Sequence, residues 1–256
     1  MILEDYGEAL AYEVAFAMQG LENPRYPVAH LGDLSLEVSR KLRALAIMVL
    51  LVKADVDLFH HNLIRSGLAR ERYLRRLRDE GIARDHHDAS GRCAPLLDAI
   101  AAGDLALARR IVALSPSEWR EGHEYEDDYC YAQLLGLLIA VAPSTGDVGA
   151  LLGRFETYLD GEQDPRLEVC RALANGDADQ FAVAFEALLS ARDATTADDR
   201  ERSQLEEPEV VADREVYIEG LALLRLAEAR GLATDPDYRY CPSLARVPMT
   251  EPFPGE

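Results

Sequence analysis

The sequence predicts an all-α protein, an irregular array of antiparallel helical hairpins, and three observations carry that prediction. Apolar residues recur at helical spacing along most of the chain. No run of useful length alternates apolar with polar residues as a half-buried strand would. Asp-led junctions recur where one apolar face ends and the next begins. In Gly103-Asp104, Gly146-Asp147 and Gly176-Asp177 the glycine can close one helix in the left-handed conformation, and the aspartate can cap the next by accepting an orphan backbone N–H. Ile100-Ala101-Ala102-Gly103-Asp104 aligns with Leu173-Ala174-Asn175-Gly176-Asp177, as in units that stack into a solenoid-like array. The cap aspartates are unequally spaced and match no standard repeat signature, so the array is read as irregular.

Taken in order, residues 1–20 read as one helix with Leu10, Val14 and Met18 on a single face, broken by Asn23-Pro24-Arg25-Tyr26-Pro27. A second helix spans about Leu34 to Val52, and Asp55 starts a third that carries the arginine-rich stretch from Arg65 to Arg78. In an acidic chain those arginines are expected to salt-bridge internally, with Ile64, Tyr73 and Leu77 turned to the core. The segment about 193–212 carries Asp193, Asp198, Asp199, Glu201, Glu206, Glu207 and Glu209 with Pro208 among them, and is expected as an exposed acidic loop. A helix with Val216, Gly220, Leu223, Leu224 and Ala227 as its buried stripe then ends at Gly231. Residues 1–234 are read as a single α-helical domain and 235–256 as an extended, Pro-rich tail.

Composition bounds the function. At 256 residues and 48% hydrophobic, the chain can bury a large core. The longest apolar run, Ala44 to Val52, is far too short to span a bilayer, and the acidic opening Met1-Ile2-Leu3-Glu4-Asp5 does not resemble a secretory signal, so a cytoplasmic protein without membrane contact is expected. A formal net charge of -19 repels phosphate and argues against direct nucleic-acid binding, while favouring a basic protein partner.

Glu124-Tyr125-Glu126-Asp127-Asp128-Tyr129 concentrates that charge between tyrosines. Two physical readings apply. Acidic residues suit a helix's first turn, where unpaired N–H groups and the dipole favour negative charge. A tyrosine-edged acidic patch also suits docking of a basic protein, with aromatic area anchoring and charge steering.

Catalytic and metal chemistry find weaker support. Asp57 with His61 is an i, i+4 pair, and His60-His61 and His86-His87-Asp88 are adjacent clusters, but no His-Glu-x-x-His element exists and adjacent histidines on a regular helix cannot face one point. No metal or cofactor is assigned. Cys93, Cys130, Cys170 and Cys241 lie far apart and are expected as reduced thiols. A nucleophile elbow, a phosphate loop and a dinucleotide fingerprint are all missing from the sequence, so no catalytic residue is assigned and the expected role is not enzymatic.

Four segments, in order, resemble the immunity protein 49 family of bacterial polymorphic toxin systems: Asp57-Leu58-Phe59 through Arg65-Ser66-Gly67-Leu68-Ala69-Arg70 to Tyr73-Leu74; Glu124 through Tyr131; Asp164-Pro165-Arg166-Leu167-Glu168-Val169-Cys170-Arg171-Ala172-Leu173; and Glu219 through Ala227 followed by Tyr240-Cys241-Pro242-Ser243-Leu244-Ala245. The resemblance implies a helical, cytosolic antidote that binds a cognate toxin so that sister cells survive. Nuclease toxins grip phosphates with basic surfaces. Glu124, Glu126, Asp127 and Asp128 are then expected to mimic phosphates, with Tyr125 and Tyr129 as anchors and inhibition by occlusion. The alternative is a helical scaffold that holds an endogenous peptide in a groove.

Overall fold

The computed structural model describes residues 3–82, 85–140, 145–202 and 208–255. It is 72% helical, and among the described residues the only β feature is an isolated antiparallel bridge between Tyr238 and Cys241. The all-α prediction is therefore met.

Helix α1 (Leu3–Glu22) lies on α2 (Leu31–Lys53), and α2 packs along α3 (Val56–Asp79). The chain then forms α4 (Ala94–Ala101) and α5 (Leu105–Leu114), both against α3. Helices α6 (Glu126–Leu138), α7 (Thr145–Leu159) and α8 (Pro165–Asn175) follow, with α6 touching both its successors. Helix α9 (Ala178–Arg202) returns along α8, α10 (Pro208–Glu215) sits on α2, and α11 (Ile218–Ala229) packs chiefly on α4. One continuous core joins these layers, from Leu10 and Val14 on α1 through Phe59 and Leu63 to Leu223 and Leu224 on α11.

The junction chemistry follows the sequence at Asp55, Asp104 and Asp177, whose carboxylates accept N–H bonds from Leu58, Leu107 and Gln180 at 2.9, 2.9 and 3.0 Å. The two aligned hairpins share a hydrogen-bond pattern: Asp104 N–H donates to Ala99 O and Asp177 N–H to Ala172 O, while Gly103 and Gly176 have φ of 80° and 69°. Left-handed backbone is nearly free of penalty only for glycine, which explains the residue at these turns. Gly146-Asp147 departs from the expected cap. It lies inside the first turn of α7, where Asp147 meets the positive end of the dipole instead.

Two larger segments also differ from expectation. The region about 193–212, expected as a loop, is helical through Arg202 and again from Pro208, while 203–207 lie outside the described residues. Ala187, Ala191, Ala194 and Ala197 supply helix propensity there. Asp198, Asp199 and Glu201 are exposed as expected, whereas Asp193 accepts from Tyr240 Oη at 2.7 Å and pairs with Arg239, and Arg192 and Arg200 reach Asp213 and Glu215 across to α10. The helix expected to carry Val216 with Gly220 and Leu223 is divided, α10 ending at Glu215 and α11 starting at Ile218, because at Tyr217 the backbone turns extended and its N–H donates to Tyr240 O at 2.8 Å.

The C-terminal segment is no free appendage. Cys241 is fully buried, its Sγ lying where a Cβ on Gly220 would meet it at 2.6 Å, so only glycine fits under the returning chain. A 3-10 turn (Ser243–Arg246) follows, and the irregular end runs back over α3. There Val247 O accepts from His60 Nε2 at 2.9 Å, and the Thr250 N–H and hydroxyl both bond Asp57. The arginines of α3 find partners close by: Arg75 pairs with Glu71, Arg76 with Glu80 and Arg72 with Glu22. Arg65 donates to Asn62 Oδ1 at 2.9 Å, and Arg70 also departs from the expected salt bridging. It is 2% exposed and donates to the carbonyls of His87 and Ala89, and burial pulls its pKa down to about 10.

Candidate functional site

The acidic segment opens α6. Tyr125 occupies the N-cap position with extended backbone, and Glu126, Asp127 and Asp128 fill the first turn, where the helix leaves N–H groups without intrahelical partners. Electrostatics of the helix end thus account for three acids in a row. The tertiary contacts then divide the six residues into distinct roles.

Glu124 is half-buried, and its Oε2 accepts the Gly91 N–H at 2.5 Å; burial pushes its carboxyl above the ordinary value despite that bond. Glu126 Oε1 accepts from Arg154 Nε at 2.6 Å. Asp127 and Asp128 both reach Arg166, at 3.0 and 2.8 Å, and Asp164, the N-cap of α8, joins the same guanidinium at 2.7 Å. Arg166 also lies over the Tyr131 and Phe155 rings, 5.2 and 6.0 Å from their centroids. Burial opposes its charge, but the bonds from Asp164 and Asp128 outweigh burial and hold the group well above the ordinary arginine value. Arg166 therefore ties the start of α6 to the start of α8.

The two tyrosines separate completely. Tyr129, expected as an anchor, is only 5% exposed and donates its hydroxyl to Ser117 O at 2.7 Å, with Arg154 over its ring. Tyr125 is 72% exposed. It rims a cleft of about 730 Å³ that is also lined by Trp119, Glu121, Glu124, Glu126 and Tyr158. Tyr158, on α7, is 42% exposed and supplies a second aromatic face that sequence reasoning missed. Arg154 and Arg166 were missed as well. Neither has a local partner in the acidic segment, so no spacing rule could have joined them to it.

Histidines and cysteines take the following places. His60 and His61, on the regular helix α3, diverge to Val247 O and Glu251 O, and Asp57 is engaged by Thr250. His86 and His87 lie in a turn instead of a helix, with ring centroids 3.7 Å apart and planes tilted by 39°, so the divergence expected of neighbours on a regular helix does not apply to this pair. The four cysteines are free thiols; Cys130, Cys170 and Cys241 are buried, and burial raises Cys130 to about 11 and Cys241 to about 12. Buried Asp98 has its carboxyl raised by desolvation, but Arg43 Nε and Ser66 Oγ occupy its two oxygens at 2.7 and 2.5 Å. That geometry makes it a structural tie between α2, α3 and α4.

Fold and site together define an all-helical protein with an acid-lined, tyrosine-rimmed cleft and no helix, among the described residues, long and apolar enough to cross a membrane. The Immunity protein 49 family model matches residues 43–245, and the chain belongs to that family, whose members are immunity proteins. No curated protein and no solved structure matches the chain.

Proposed function

We propose that this protein neutralises a cognate secreted toxin domain in the cytoplasm by occluding it, with the cleft between Tyr125 and Tyr158 as the docking face and a basic nuclease as the partner. Family membership supports the immunity role. The observation that carries the docking face is Tyr125, a large aromatic side chain 72% exposed beside acidic walls. Aromatic anchors at the centre of an interface contribute most of its binding energy, whereas charge sets the encounter rate.

The six residues contribute differently in this reading. Tyr125 inserts into the partner, and Glu124 lines the cleft together with exposed Glu121. Glu126, Asp127 and Asp128 are bonded to Arg154 and Arg166, so they hold the cleft's shape and shape the field in place of acting as free phosphate mimics. Tyr129 supports the wall from inside.

Surface plasmon resonance against the toxin encoded beside this gene tests the proposal. Tyr125→Ala combined with Tyr158→Ala, folded as judged by its thermal melt, is expected to accelerate dissociation at least tenfold and to abolish rescue of toxin-expressing cells. Kinetics equal to the parent protein's would put the docking face elsewhere.

A further inference from the structure

The turn that carries His86 and His87 brings three donor side chains together. One ligand atom each from Asp85, His86 and His87 lies within 4.8 Å of the others. We propose that this cluster is a zinc site, with Asp85, His86 and His87 as ligands, Asp33 of α2 as the residue that positions His87, and a fourth coordination position left open. It is independent of the docking face proposed above.

The hydrogen bonds around His87 carry the argument. Its Nε2 lies 2.8 Å from Asp33 Oδ1 and its Nδ1 3.1 Å from Asp85 Oδ2, so a carboxylate faces each ring nitrogen. A neutral imidazole has a single N–H to offer. Coordination uses that neutral ring: with the N–H on Nε2, where Asp33 accepts it, the Nδ1 lone pair is left to bind a cation beside Asp85 Oδ2. Two donors bound to one zinc at about 2.0–2.1 Å in tetrahedral geometry sit about 3.3 Å apart, close to the 3.1 Å between His87 Nδ1 and Asp85 Oδ2, while the His86 nitrogen lies within 4.8 Å of both and closes in on binding. A carboxylate on the far nitrogen of a histidine ligand is the usual arrangement that fixes its tautomer.

The surroundings hold this arrangement in place. Asp85 Oδ1 accepts the His87 N–H at 2.8 Å and the Tyr73 hydroxyl at 3.3 Å, which turns Oδ2 toward the imidazole. His87 packs over Gly32, where an added Cβ would meet its ring at 2.5 Å. Arg120, Arg92 and Arg70 donate to the carbonyls of Asp85, His86 and His87, so these arginines anchor the main chain of the turn. Two imidazole nitrogens with a carboxylate suit zinc, whereas magnesium and calcium prefer all-oxygen shells.

Isothermal titration of the chelator-treated full chain with zinc chloride tests the assignment. One equivalent is expected to bind, magnesium chloride is expected to give no heat, and cobalt(II) is expected to produce visible absorption of low-symmetry, four- or five-coordinate character. His86 is exposed, so His86→Ala retains the fold and should weaken zinc binding at least tenfold. Asp33→Asn should weaken it about 10–100-fold and shift the cobalt spectrum, with recovery in Asp33→Glu. Absence of zinc binding by the parent protein, or affinity unchanged in His86→Ala, would overturn the proposal.

Discussion

Arg166→Met tests whether the joint between α6 and α8 is built as described. The variant keeps the aliphatic packing against Tyr131 and Phe155 but removes the cation that holds Asp127, Asp128 and Asp164 together. Breaking a fully buried ion pair costs about 3–5 kcal/mol, whereas an exposed pair contributes about 0–1 kcal/mol. The Arg166 side chain is 23% exposed and its partners are 22%, 37% and 14% exposed, which puts the case between those limits, and Asp128, the most open, is discounted. A loss of about 2–3 kcal/mol follows, or about 4–12 °C in melting temperature for a chain of this size. Differential scanning calorimetry measures it. A double-mutant cycle with Asp164→Asn should return a coupling of about 0.5–3 kcal/mol, because the two groups share one contact. A shift below about 1 °C, or strictly additive effects, would refute the claim that Arg166 joins the two helix starts.

Further expectations follow from individual contacts. Asp177→Ala, which removes the bond to the Gln180 N–H, should cost about 0.5–2 kcal/mol, read as a lower urea midpoint. Burial holds the His60 imidazole below its ordinary value of 6.5, so the unfolded chain binds a proton more readily than the folded one. Stability should therefore decline as pH falls through and below that value, and His60→Gln should flatten the slope in urea titrations repeated across that range. Thiol labelling of the denatured chain without reductant should count four free cysteines, whereas buried Cys130, Cys170 and Cys241 should react slowly in the native state; fast native labelling of all four would contradict the burial described.

The helical hairpins could be read in the sequence because their determinants are local. Asp104 and Asp177 cap helices that begin one residue later, and glycine at 103 and 176 supplies the left-handed turn, all within a few residues of chain. The start of α6 was legible for the same reason, since Glu126, Asp127 and Asp128 answer to the helix's own N–H groups. Exposure was not. Tyr125 and Tyr129 stand four residues apart and look alike in sequence, yet one projects into solvent and the other is sealed under Arg154.

The sequence by itself determined an acidic, all-helical chain, the main hairpin junctions, and an acidic first turn on α6, because propensity, capping and charge composition act over short range. Only the tertiary structure decided that Arg154 and Arg166 neutralise that turn, that the terminal segment returns to Asp57 and His60, and that Asp33 meets His87 from a distant helix. Each of these joins residues far apart in the chain. Their pairing depends on how helices stack to bury apolar area, and that packing fixes which charges meet each other and which face the solvent.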